Sequence, residues 1–218
     1  MSNLLNMLEY SVSPQKVIKV YTNYNRPFNI IFLICSIVFA ISAISMLCFF
    51  ETDIFKDFVK KIGFPDIAVR LILGLAGTAF LILAIFLFQI ITSVMLLIIT
   101  KIFKNLFKNS LNFTQSLTIV SLSATPLIMA IICNGLFLII AREMFFYLPT
   151  SISYYLQDAI PTQLLNSLQI IDVFLIWHIS LIAIGSAELL EIRGNKTRYH
   201  LIVSFCFIVT FGLLNVLI

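Results

Sequence analysis

The sequence predicts an all-α integral membrane protein: a bundle of five transmembrane helices with one or two interfacial helices. Three observations carry that expectation. Hydrophobic residues fill 61% of the 218 positions and charged residues only 11%, with a mean hydropathy of +1.07. Soluble domains hold roughly 45–50% apolar and about 25% charged residues, so too little polar surface is left here to face water. The apolar residues are gathered into runs of about 20 or more, the length that crosses a hydrocarbon core of about 30 Å. The charges fall almost entirely between those runs, as topology requires, and the net charge of +4 therefore does not point to nucleic acid.

Residues 1–27 read as a polar, cytoplasmic leader ahead of a five-span domain at 28–218. Ser13-Pro14 has the form of an N-cap followed by a first-turn proline. Val17, Ile18, Val20, Tyr21 and Tyr24 then recur at near-helical spacing with Lys16 and Lys19 between them, the pattern of a helix lying on lipid headgroups. The first apolar run begins behind this leader and is too long for a signal-peptide core, and neither a CaaX box nor an N-terminal myristoylation glycine is present.

The first span is expected at 28–50, without a charge. The connection 51–68 carries both signs, with Ile54, Phe55, Phe58, Val59 and Ile62 on one stripe and Gly63 and Pro65 closing it. The second span, about 69–102, exceeds one crossing but is too short for two, so it reads as one long, tilted or bent helix. Its Gly74 and Gly77 suit close helix approach. A basic loop follows, with Lys101, Lys104 and Lys108 and no acid up to Ser116.

The third span, about 117–140, has Pro126 near its middle, where the missing N–H should bend the helix. Ser121, Ser123 and Thr125 precede it and can re-satisfy the freed carbonyls. Ser123, Ala130 and Asn134 share one face. Residues 141–160 are rich in aromatics (Phe145, Phe146, Tyr147, Tyr154, Tyr155), which favour headgroup depth.

The fourth span, about 168–190, holds the chemistry. Asp172, His178, Gly185 and Ser186 fall within about 140° on an ideal helix, with Val173, Phe174, Trp177, Leu181 and Ile184 opposite. Asp172 and His178 are ionisable residues in an apolar run, costly enough at depth to be candidates for function. They stand about 9 Å apart along the axis, so their partners come from other spans, with Asn134 and Ser123 as first choices. Asp172, His178, Asn134 and Ser123 form the candidate intramembrane polar site, with Pro126 as helix break and Gly74, Gly77 and Gly185 as close-packing positions. The fifth span is expected at 199–218.

Nine Lys and Arg (Lys16, Lys19, Arg26, Lys101, Lys104, Lys108, Arg193, Lys196, Arg198) lie on one side of this topology and five (Lys56, Lys60, Lys61, Arg70, Arg142) on the other. The excess places the N-terminus in the cytoplasm and the C-terminus outside. The four cysteines lie in apolar runs without a CxxC and read as small buried hydrophobes. No HExxH, GxSxG or Walker-type motif occurs, so no catalytic residue, metal site or cofactor is expected.

Five spans, the Ser13-Pro14 leader and SLSATPLIMAII of the third span resemble the Yip family of Ypt/Rab-GTPase-interacting membrane proteins. The fourth span's IDVFLIWHISLIAIGSAELLEI is similar to that family's D-x-F-x-x-W…L-x-x-x-G pattern through Asp172, Phe174, Trp177, Leu181 and Gly185. The resemblance covers nearly the whole chain and is to the short prokaryotic-type branch, which brings no catalytic residues with it. Eukaryotic members carry a longer N-terminal region with a DLYGP-type motif; its absence here argues against small-GTPase binding. The resemblance implies a non-enzymatic multi-pass protein that organises or remodels membrane, or serves a trafficking-like role, through lipid and protein contacts, with the bilayer, a membrane-protein partner or a second copy as partners. A small transporter or channel using the Asp172/His178 face and the Pro126 break is the alternative. An abundance of Ile, Asn and Lys suits an AT-rich bacterial genome and hence a bacterial inner membrane.

Overall fold

The computed structural model describes residues 2–21, 27–50, 53–63, 65–107, 109–141, 149–161, 165, 168, 172–192 and 196–217. The described residues are helical, without a β-ladder beyond two isolated bridges. Two short N-terminal helices, α1 (Ser2–Val12) and α2 (Pro14–Tyr21), lead into α3 (Pro27–Phe49). The order continues through α4 (Asp53–Ile62), α5 (Asp66–Ile102), α6 (Phe113–Leu122), α7 (Thr125–Ala141), α8 (Ile152–Leu156), α9 (Val173–Leu190) and α10 (Lys196–Leu217). Four stretches are long and apolar enough to cross a membrane: Pro27–Ile44, Asp66–Ile102, Phe113–Phe137 and Val173–Leu190. α10 is a further long helix of 22 residues.

The second span is one unbroken helix of 37 residues, about 55 Å at the ideal rise and far longer than a ~30 Å hydrocarbon core. It starts at Asp66, directly after Pro65, and carries Asp66 in its first turn and Lys101 in its last, charges that complement the helix dipole. Before it, α4 folds back on the first span. Phe55 and Phe50 bury against Val69, and the Arg70 guanidinium lies over both rings at 5.7 and 5.5 Å. Asp66 holds that guanidinium from one turn away at 3.0 Å. The arrangement closes the α3–α4–α5 corner with one cation serving two rings.

The third span is broken rather than bent. α6 stops at Leu122 and α7 starts at Thr125, with Pro126 in the first turn of α7. Pro126 has no N–H to give the preceding turn, and its ring crowds the carbonyl four residues back, so the chain restarts its ladder with Ile128 N–H on the Ala124 carbonyl at 3.1 Å. The start of α6 is sealed by a capping box in which Asn112 and Gln115 bond each other's backbone N–H at 2.8 and 3.0 Å.

α9 is the central helix; it packs on α2, α6, α7 and α10. Its C-terminal end is held by Asn109, whose N–H meets the Leu190 carbonyl at 3.3 Å. Glu191 takes a left-handed conformation there (φ 48°) and turns the chain out of the helix.

The leader joins the helix core. Met7, Tyr10, Val17 and Ile18 are buried in the main core, and α1 and α2 pack on the bundle. Leu4, Leu5, Leu8 and Val12 of α1 stay exposed. α1 thus has apolar residues on both its inner and outer sides, with Glu9 exposed among them. Among the connecting aromatics, Phe145, Phe146 and Tyr147 lie outside the described residues, whereas Tyr154 and Tyr155 sit edge to face on α8 at 5.4 Å.

Replacing Asn112 by Ala removes the cap of α6 and should cost about 1 kcal/mol. Thermal unfolding in detergent is expected to show a lower Tm for Asn112→Ala than for Gln115→Ala, which loses only the reciprocal bond.

Candidate functional site along α9

Asp172 was expected on the inner face of a helix beginning near 168; it is instead the N-cap of α9, with extended φ/ψ of −105° and 135°. Its Oδ1 accepts from the backbone N–H of Phe174 at 2.7 Å and of Leu175 at 3.3 Å. Two N–H groups that have no partner inside the helix are satisfied by one carboxylate, which also sits at the positive end of the helix dipole. The Thr150 hydroxyl donates to Oδ2. Having spent its one proton there, Thr150 is the acceptor toward Asn134, whose Nδ2 donates at 3.2 Å. Asn134, Thr150 and Asp172 therefore form a directed chain joining α7, the segment after it and α9. Thr150 escaped sequence reasoning because a hydroxyl in a connecting segment carries no periodic signal.

His178 lies six residues further along α9 and is fully buried. Its Nδ1 is 2.7 Å from the Ser123 carbonyl. A carbonyl only accepts, so Nδ1 carries the proton and Nε2 presents a lone pair. Ser123 sits at the break between α6 and α7, and its own hydroxyl bonds back to the Val120 carbonyl at 2.8 Å. The sequence grouped Asp172, His178, Asn134 and Ser123 as one site. The structure divides them into two pairs at different depths: Asp172 with Asn134 through Thr150, and His178 with Ser123.

A third connection comes from α1. The Tyr10 hydroxyl donates to the Leu181 carbonyl at 3.1 Å, and the Thr125 hydroxyl donates to the Met7 carbonyl at 3.1 Å. Leu181 is midway along α9, and Thr125 opens α7 at the break, so α1 is inserted at mid-span. Leu181, expected opposite the polar face, is buried for this reason (3% exposed), whereas Val173 and Trp177 are exposed and Phe174 and Ile184 half-buried. Gly185 is where α1 meets α9: a Cβ there would overlap the Tyr10 hydroxyl and come within 3.0 Å of its ring and 3.4 Å of Ile119. Gly74 is looser, with the Phe50 ring at 3.6 Å from such a Cβ; Gly77 is half-buried on α5. Toward the other end of α9, Tyr199 of α10 donates to the buried Ser186 hydroxyl at 2.8 Å, and Lys196 meets Glu188 at 3.3 Å.

Asp172, His178 Nδ1, Ser186 and Glu188 are thus each engaged by a different neighbour of α9, with buried Ile179, Leu181, Ile182 and Ala183 between them. Such pairs lock helices together where lipid offers no competing donor or acceptor. Among the described residues no three His, Cys, Asp or Glu side chains group as metal ligands. Compared with known families, the chain matches the Yip1 domain over residues 12–216.

The chain belongs to the Yip family.

No curated protein and no solved structure matches it. The structure gives each residue of the fourth-span pattern a place. Asp172 caps the helix, Trp177 faces outward, Leu181 offers its carbonyl to Tyr10, and Gly185 leaves room for that ring. Most of α1 lies ahead of the matched residues, so the partner that fills the Gly185 notch comes largely from outside the Yip1 domain.

Gly185→Ala should displace Tyr10 and destabilise the protein by about 1–3 kcal/mol, the usual cost of overpacking. Adding Tyr10→Phe removes the overlapping hydroxyl, and the double variant is expected to melt above Gly185→Ala alone. An additive double variant would show that the two residues do not meet.

Proposed function

We propose that this Yip1-domain protein is a non-enzymatic organiser of membrane, acting through lipid and protein contacts. It would sit in a bacterial cytoplasmic membrane with α10 as its fifth span, its N-terminus in the cytoplasm and its C-terminus outside. The observation that carries this reading is α5. A continuous apolar helix of 37 residues outruns the hydrocarbon thickness by about 25 Å. It must tilt, protrude or thicken the surrounding bilayer. Ile67, Leu71, Ile72, Leu75, Phe80 and Leu83 stay exposed along its first half, so that half presents its mismatch to lipid or to a partner span.

The charge excess on the cytoplasmic side of this topology supports the orientation, and the Ile-, Asn- and Lys-rich composition supports a bacterial source. A membrane-protein partner or second copy would find the same exposed half of α5.

One observation favours a second reading, a small transporter or channel: the broken third span places Ser123 against buried His178 at mid-span. Broken helices of this type line substrate sites in transporters. Against it, Asp172 is engaged as a helix cap and apolar layers separate the polar pairs.

Reconstitution in lipid vesicles separates the two. For an organiser, vesicle size or shape changes with protein-to-lipid ratio, and Asp172→Asn, which keeps a capping oxygen, leaves that change intact. Unaltered vesicles together with a solute flux abolished by Asp172→Asn or His178→Ala would replace this reading with the transporter.

A further inference from the structure

The hydroxyls within these helices mostly bond back to their own turn. Ser36 reaches Phe32, Thr78 reaches Gly74, Ser93 reaches Gln89, Thr118 reaches Thr114 and Ser186 reaches Ile182, all at 2.6–2.9 Å. Thr92 does not. Its Oγ1 is fully buried without a partner, as are Gln89 Oε1 and His178 Nε2. These three side chains are 0–1% exposed. A buried polar atom left unpaired costs about 1–3 kcal/mol, so three in one layer call for a common partner.

The Phe88–His178 contact and ideal-helix register bring the three to one level of the bundle. The Phe88 ring meets the His178 ring at 5.9 Å. On an ideal helix Thr92 is about 40° and Gln89 about 100° from Phe88, one turn or less away along α5. The register with α6 agrees, because the Ser116 hydroxyl holds the Ser93 carbonyl at 2.8 Å and places Gln89 on the side where α6 approaches. Ser121 Oγ is also unpartnered. It lies about 200° around α6 from Ile119, the residue that meets Gly185 of α9, so it points elsewhere.

We propose that His178 Nε2, Gln89 Oε1 and Thr92 Oγ1 form an internal site for one water-sized hydrogen-bond donor, bridging α5 to α9. The chemistry of the donor set defines the occupant. Nδ1 of His178 already gives its proton to the Ser123 carbonyl, so Nε2 can only accept from a neutral ring. Gln89 Oε1 can only accept as well. A ligand must therefore supply two N–H or O–H bonds and exchange a third with the Thr92 hydroxyl. Water does this with both protons and one lone pair, about the three bonds that buried waters usually make; ammonia has the same size and donors. Phe88, which meets His178, stacks in turn on Phe211 at 5.4 Å, so aromatic rings and not polar groups flank this side of His178. The inference stands apart from the membrane-organising reading, since an internal bridge serves the bundle whatever its outer surface does.

The test is solid-state NMR of full-length protein labelled with ¹⁵N-histidine in lipid nanodiscs. The expected result is a neutral His178 with its proton on Nδ1 and magnetisation transfer from water to Nε2. That transfer should drop at least several-fold in Thr92→Val, which keeps the side-chain shape, while the tautomer is unchanged. Repeating the measurement with ammonium chloride at fixed pH distinguishes the sources. A persisting water signal identifies water, and its displacement by a ¹⁵N-ammonia contact identifies ammonia. A proton on Nε2, or water transfer that Thr92→Val and Gln89→Leu both leave unchanged, overturns the site.

Discussion

The hydrogen bond from His178 to the Ser123 carbonyl, 2.7 Å long, ties the broken third span to the central helix. The helical ladder is interrupted between α6 and α7, and in hydrocarbon a carbonyl left at such an end has no water to turn to. The break is therefore tolerable only where another element brings a donor. α9 brings an imidazole, and the requirement sets the depth and rotation of α9 against α6 and α7. Gly185 then falls opposite Ile119, and Asp172 falls at the level of Thr150, close enough to complete the chain to Asn134.

α1 meets the same constraint from the other side. The discontinuity at Ser123–Ala124 leaves the Thr125 hydroxyl free to leave its own helix, and it takes the Met7 carbonyl. Three residues on, Tyr10 spends its hydroxyl on Leu181. A tyrosine and a backbone carbonyl at mid-span are affordable only because each is paired, and Gly185 is the residue without which the ring would not fit. The leader thus acts as a part of the bundle that enters beside the break. Its outer leucines remain for lipid.

α5 works on a different principle. Its inner side is polar and fully covered in its second half, at Gln89, Thr92, Ser93 and Thr100, while its first half is largely exposed and apolar. One helix is therefore a core element at one end and an exposed apolar rod at the other. The packing of α6 explains the covered half, because the Ser116–Ser93 bond pins α6 along it. The Arg70 corner anchors the other end through Phe50 and Phe55.

Composition and run length by themselves determined that this is an all-helical membrane protein and that the second apolar run is a single overlong helix, while Pro126 marked the third for a bend that the structure shows as a break at Ser123–Ala124. Those properties follow from local chemistry: hydropathy, helix length and a missing N–H. The sequence also marked Asp172, His178, Asn134 and Ser123 as the polar residues needing partners, because an ionisable or amide group in an apolar run is conspicuous wherever it ends up. Which partner each one took was decided by tertiary structure alone. A 100° helical wheel placed Asp172 on the inner face of a helix that in fact starts after it, since capping depends on where the chain enters. The wheel also put Leu181 opposite the polar face, where Tyr10 of a leader 171 residues away covers it. Hydrogen bonding between distant segments leaves no period in a sequence; it depends on depth and rotation, and those are set only when the helices pack.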